Sequence, residues 1–131
     1  MAKTKRFSPH THLDFLNHEN LDGAVLKEVS LMGAEHCSFK KADIRKIFVH
    51  DGKFLHCVFD GANLEEARLQ INDLKGSSFI GANMRKFGGW RVQAPAVPFS
   101  RADLSEADLS LSNLQRADFC QANLTKSDLN G

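Results

Sequence analysis

Tyrosine is absent from this chain of 131 residues, tryptophan occurs once, and cysteine and proline occur three times each. Three cysteines are too few for a disulfide framework and favour reduced thiols in the cytoplasm. The opening stretch, Met1 to Phe7, is basic but has no apolar run behind it, which excludes a conventional signal peptide. No apolar stretch approaches a membrane span. An excess of charge is also missing: 17 basic residues face 16 acidic ones. That balance excludes both a generally basic surface for nucleic acid and the strongly acidic surface of a nucleic-acid mimic. Neither a Gly-rich phosphate loop nor a Gly-x-Ser-x-Gly elbow occurs, and no paired carboxylates mark a cleft. No enzymatic activity, cofactor or metal is expected, and neither nucleic acid nor membrane as a direct partner.

What the chain does have is phenylalanine, ten of them, and a strict rhythm. Apolar residues recur every five positions from Phe39 through Ile44, Val49, Phe54, Phe59, Leu64, Leu69, Leu74 and Phe79 to Met84. The rhythm resumes at Phe99 and runs through Leu104, Leu109, Leu114, Phe119 and Leu124 to Leu129. Neither the helical period of 3.6 nor the strand period of 2 produces this. The residue two before each apolar plug is small in most units. A longer period lies on top: Phe39, Phe59, Phe79, Phe99 and Phe119 are 20 apart, as are Ala42, Ala62, Ala82, Ala102 and Ala122. Positions 43, 63, 83, 103 and 123 are all Asp or Asn. Four five-residue units therefore make one coil, and these columns form the structural core.

Units such as Ala62-Asn63-Leu64-Glu65-Glu66 and Ala102-Asp103-Leu104-Ser105-Glu106 resemble the repeat of the pentapeptide-repeat family. The resemblance covers roughly residues 16–131. It implies an all-β, right-handed, four-sided β-helix of about five 20-residue coils, forming a single domain over 16–131 behind an N-terminal cap segment, 1–15. Like other solenoids, such a rod is stable because stacked coils bury a continuous core that one coil cannot. Leu21 precedes Phe39 by 18 residues rather than 20, so one side of that coil is short by two, placed around Ala34-Glu35-His36. Ser8, as an N-cap before Pro9, suggests a short capping helix. At the other end the chain stops partway round a coil, at Gly131. The open end is a candidate surface for homodimer formation.

Candidate sites follow from the register. His36-Cys37 and His56-Cys57 are one coil apart and resemble a zinc set by composition. Neighbours on a strand face opposite ways, however, which turns the thiols inward and the imidazoles to water. A Cys37–Cys57 disulfide is disfavoured by parallel Cβ directions, and Cys120 is expected to be exposed and free. His10, His12 and His18 form a loose cluster suited to adventitious metal binding. Arg45-Lys46, Glu65-Glu66 and Arg85-Lys86 form an alternating ladder suited to ion pairing between coils.

The repeat motif breaks, without losing count, between Met84 and Phe99. Gly89 takes a plug position and Phe87 a small one, a swap that conserves core volume, while Ala94 is an undersized plug. Trp90 lands outward beside Arg91, or else folds over the thin side of the rod. Trp and Arg are enriched at interface hot spots, so Gly88, Gly89, Trp90, Arg91 and Gln93 are the candidate partner-binding residues. The leading expectation is a cytoplasmic, non-enzymatic scaffold whose rigid faces bind an unidentified protein partner. The family resemblance implies an alternative, modulation of a type II topoisomerase (DNA gyrase) by DNA mimicry, with 88–98 as a loose analogue of the loops some such proteins carry. Nine basic against six acidic residues over 39–87 count against it. A self-associating structural unit is the third reading.

Overall fold

The five-residue period becomes a bend every fifth residue. In the computed structural model, which describes residues 3–131, the residue two after each plug is left-handed in every unit from Lys41 to Lys126. Non-glycine residues there have φ between 53° and 60°, and Gly61, Gly76 and Gly81 take the same place. Most bends are closed by a hydrogen bond from the residue three after the plug, as in Ala62 N–H to the Phe59 carbonyl (3.0 Å) and Ala102 N–H to that of Phe99 (3.0 Å). This is a β-turn with a left-handed third residue.

The Asp/Asn column now has a cause. Where Asp or Asn precedes the plug, its side chain accepts the amide just after it: Asn63 Oδ1 from Glu65 (3.1 Å), Asp103 Oδ1 from Ser105 (3.1 Å) and Asp118 Oδ1 from Cys120 (2.9 Å). An amide facing water at the bend thus finds a local acceptor, as in an Asx-turn.

Between bends the backbone pairs in parallel with the coils on either side. Two columns are regular enough to be strands. One holds β1 (His12–Leu13), β3 (Ser30–Leu31), β5 (Phe48–His50) and β7 (Arg68–Gln70); the other holds β2 (Leu16–Asn17), β4 (Gly33–Glu35) and β6 (Lys53–Leu55). Parallel bridges continue every column along the rod, for example Arg6–Val25–Asp43–Asn63–Asn83–Asp103–Asn123. We number the walls by their plugs. The first carries Phe39, Phe59, Phe79, Phe99 and Phe119, and the second Ile44, Leu64, Met84, Leu104 and Leu124. The third carries Val49, Leu69, Gly89, Leu109 and Leu129, and the fourth Phe54, Leu74, Ala94 and Leu114.

The core is a column of rings. Phe39, Phe59, Phe79, Phe99 and Phe119 stack with successive centroids 4.8, 4.9, 5.3 and 5.2 Å apart. Burying each ring stabilises the rod by about 2 kcal/mol. The stack is sealed through Phe99, whereas Phe119 and Ala122 are only half-buried in the last coil.

The N-terminal region corrects two expectations. No capping helix forms among the described residues. Ser8 to Thr11 is instead a turn in which Thr11 donates to the Ser8 carbonyl through its amide (3.1 Å) and its hydroxyl (2.6 Å). Phe7 and His10 donate to Val25 and Glu28 of the next coil, so backbone that a helix would have paired internally is used for stacking. The two-residue deficit lies between Leu31 and Ala34, not at Ala34-Glu35-His36: Ser30 pairs with Phe48, 18 ahead, while Ala34 pairs with Phe54, 20 ahead. The segment Leu13–Leu16 is equally short. Gly33 permits the tight corner, since its φ is 143° and a Cβ there would sit 2.5 Å from the Lys53 carbonyl oxygen.

Candidate interaction surface

Residues 88–98 stay in the wall and do not bulge. Gly88 bridges Arg68 below and Asp108 above, Gln93 bridges Asp73 and Asn113, and Pro98 bridges Asp118. Gly89 and Arg91 donate to the Asp108 (2.7 Å) and Ser110 (3.0 Å) carbonyls. The size swap explains how the core tolerates the broken motif. Phe87 is fully buried, and a Cβ on Gly89 would meet Phe87 Cε1 at 2.6 Å and Leu109 Cδ2 at 2.7 Å. The Phe87 ring therefore fills the space of the missing plug. Beside the small plug Ala94, the positions that are usually Ala or Ser hold Val92 and Val97, both buried. Pro95 stands where other units place the amide that their Asp or Asn accepts, so Gln93 is released from that task. Its side chain accepts instead from Asn113 Nδ2 at 3.3 Å.

Because Phe87 fills the core gap, Trp90 has no vacancy to fold into. It lies outward and half-buried on the third wall, with the Arg91 guanidinium 4.6 Å above its ring. This cation–π contact holds both side chains flat on the surface. Gly88 contributes by omission: the Arg68 stem lies where a Cβ of residue 88 would have a neighbour at 3.3 Å.

The histidines separate into two sets. His10 approaches Glu28 (3.9 Å), and His12 approaches Asp14 (3.7 Å). His18 is elsewhere, stacked on His36, which stacks on His56, with centroids 5.0 Å apart in both pairs. This ladder ends on Gly76, whose missing side chain leaves room for the His56 ring. Cys37 and Cys57 point into the core, unlinked, and burial pushes the Cys57 thiol up to about 12. Among the described residues no three His, Cys, Asp or Glu side chains gather to hold a metal ion. Sequence reading missed the ladder because the short coil shifts His18 to an 18-residue offset.

On the second wall the alternating charges do meet: Lys46 with Glu66 (4.0 Å), and Arg85 with Glu65 (4.0 Å), Asp103 (3.9 Å) and Glu106 (3.9 Å). Arg45 turns instead to Asp43 in its own coil (2.7 Å), and that hydrogen bond holds the Asp43 carboxyl below its ordinary range.

Comparison with known proteins agrees with this architecture. The solved structure of the pentapeptide repeat protein Rfr23 from the cyanobacterium Cyanothece 51142 superposes with a TM-score of 0.56 at 14% identity, over 92% of this chain and 86% of that one. QnrB1, a plasmid-mediated fluoroquinolone resistance protein, gives a TM-score of 0.40 at 15% identity over 97% and 83% of the two chains. HetL, involved in heterocyst differentiation regulation in Nostoc sp. strain PCC 7120, gives 0.24 at 19% over 95% and 89%. No curated protein matches the chain in sequence. The profile described as Pentapeptide repeats matches in eight copies over residues 53–85 and 99–131, stopping and resuming on either side of the broken motif. With half of its length in that profile and its backbone wound as the repeat requires, the chain belongs to the pentapeptide-repeat family.

Proposed function

We propose that the chain is a non-enzymatic scaffold that binds a protein partner through its third wall. The observation that carries this reading is the Trp90–Arg91 pair, held by a cation–π contact on a wall whose backbone is largely committed to stacking. Exposed Trp and Arg held in fixed geometry lose little entropy on binding, which is why they dominate interface energetics. The hollows of the surface are shallow and open, unlike the enclosed apolar pockets that small-molecule chemistry uses. The paired thiol positions Cys37 and Cys57 remain unlinked, which suits a reducing compartment such as the cytoplasm. DNA mimicry is less well supported, because the second wall alternates in sign where a mimic needs a continuous acidic stripe.

The test is a pull-down from native lysate comparing wild type with Trp90→Ala/Arg91→Ala, bound proteins being identified by mass spectrometry. A specific protein retained by the wild type and lost by the variant is the expected result. Identical lists from two equally stable proteins would remove the 88–98 segment as a binding site. A topoisomerase in the differential list would replace this reading with the DNA-mimic one.

A further inference from the structure

A four-sided rod has four chances to hide or show its apolar residues, and this one uses a single side. Five large apolar residues are exposed among the described residues: Met32 (58%), Phe48 (53%), Leu111 (53%), Phe15 (44%) and Leu129 (41%). Four of them lie on the outer face of the third wall or on the corner after it, and the fifth, Leu129, faces the axis. Phe48 and Met32 flank the plug columns of β5 and β3. Phe15 and Leu111 stand on the corner, and Leu129 is the last plug. Trp90 is on the same wall, two coils from Phe48. Phe48 stands as a ridge between two hollows, one lined by His10, Glu28 and Ser30 and the other by Glu66 and Arg68, with Lys46 shared.

The cations of this wall differ from those of its neighbour. Arg85 on the second wall has three carboxylates within 4.0 Å. Among the described residues neither Arg68 nor Arg91 has any carboxylate within that distance; the Arg68 stem lies over Gly88, and the Arg91 guanidinium rests on Trp90. The acids nearby are engaged: Glu66, in the hollow beside Arg68, pairs with Lys46 (4.0 Å), and Glu28 pairs with Lys27 (3.7 Å). Asp108 is turned to the amide (3.0 Å) and hydroxyl (2.6 Å) of Ser110, one coil beyond, and Asp51 stands on the exposed corner. Two guanidinium groups beside two aromatic ridges, without carboxylate partners of their own, present donors for carboxylates.

We propose that the third wall from coil Phe48 to coil Trp90 is a docking surface for an acidic polypeptide segment with apolar anchors, lying along the rod axis. This rests on the protein-binding reading above and names the partner's chemistry. Coils stack about 4.8 Å apart, so Phe48 and Trp90 are about 10 Å apart along the axis, roughly one three-residue turn of polyproline II chain, in which every third side chain faces the same way. The segment that fits carries two apolar side chains about three positions apart, with Asp or Glu between and beside them to meet Arg68 and Arg91. It is read by side chains alone. Most of the wall's amides and carbonyls are already paired with neighbouring coils, so it offers no continuous edge for strand addition.

The experiment titrates ¹⁵N-labelled protein with two synthetic peptides that share Phe and Leu anchors at that spacing, one filled with Glu and the other with Lys. Saturable amide shifts at residues 48, 50, 68, 70, 90 and 91 are expected with the Glu peptide and not with the Lys peptide. Arg68→Glu/Arg91→Glu is expected to weaken the Glu peptide at least tenfold and to favour the Lys peptide, while Phe48→Ser weakens the Glu peptide at an unchanged melting temperature. Equal response to both peptides, or shifts on the other walls, would overturn the assignment. Concentration-dependent shifts on this wall without peptide would assign it to a second copy of the chain and also overturn it. A lysate partner lost with Trp90→Ala but indifferent to Phe48→Ser and Arg68→Glu would leave the binding reading standing and remove this one.

Discussion

The second and third walls share one backbone and do opposite things with it. On both, most amides and carbonyls are used up between coils, so the outward side chains other than the Asp and Asn before each plug are free of structural duty to the ladder. The second wall uses that freedom to satisfy itself, pairing Lys46 with Glu66 and Arg85 with three carboxylates. The third leaves Phe48 and Met32 exposed and, among the described residues, Arg68 and Arg91 without a carboxylate within 4.0 Å. The difference shows where to look for function on a repeat protein: on the wall whose outer residues do not answer one another.

The largest effect is expected from forcing the third wall to obey the repeat. Gly89→Leu restores the consensus plug but drives it into Phe87, and overpacking of this kind costs about 3 kcal/mol. Thermal melts should show a large drop that Phe87→Ala recovers. If Gly89→Leu alone is neutral, the size swap is not what holds this wall. Ile71→Gly should act in the other direction. Ile71 is β-branched yet left-handed at φ 55°, a strain of about 1 kcal/mol, so urea denaturation should show a gain of that order. A loss would mean that the side chain packs more than the backbone strains.

On the second wall the effects are smaller. Glu66→Lys should cost only a few tenths of a kcal/mol, as exposed pairs do, and the cost should shrink in high salt. A salt-independent loss would show that the ladder acts through packing. The smallest is a matter of pH. Arg45 holds the Asp43 carboxyl below its ordinary value of 3.8, so its contribution is present above pH 4 and fades as the pH falls through the depressed value. In a pH titration of melting temperature, Asp43→Asn should flatten the acid limb slightly. An unchanged limb would remove the pair from the stability of the rod.

Much of this was legible because a solenoid writes its third dimension into a single number. Once Phe39, Phe59 and Phe79 give a period of 20, each residue acquires neighbours above and below, which is how the core columns, the inward thiols and the second-wall ladder could be read. The count also carried the chain through 88–98, where the motif itself fails. It did not locate the short side, since Leu31 and Ala34 both suit an inward place and only pairing shows the deficit between them. The same 18-residue offset hid the His18–His36–His56 ladder. The turn at Ser8 resembled a helix start because local cues are silent about a coil stacking alongside. Phe48 and Met32 sat at positions read as generically outward, and their common wall emerges only when the four walls are compared.

The uniform stacking offset has a kinetic consequence. Every coil meets the next at a separation of 18–20 residues, so each closure carries nearly the same loop entropy wherever it occurs. The first two coils to associate bear that cost with little buried, while each later coil lands on a finished template. Folding should then proceed as elongation from a seed in the middle of the phenylalanine column, where the rings are sealed on both sides. Its rate-limiting event would be set by one pair of coils, not by the length of the rod.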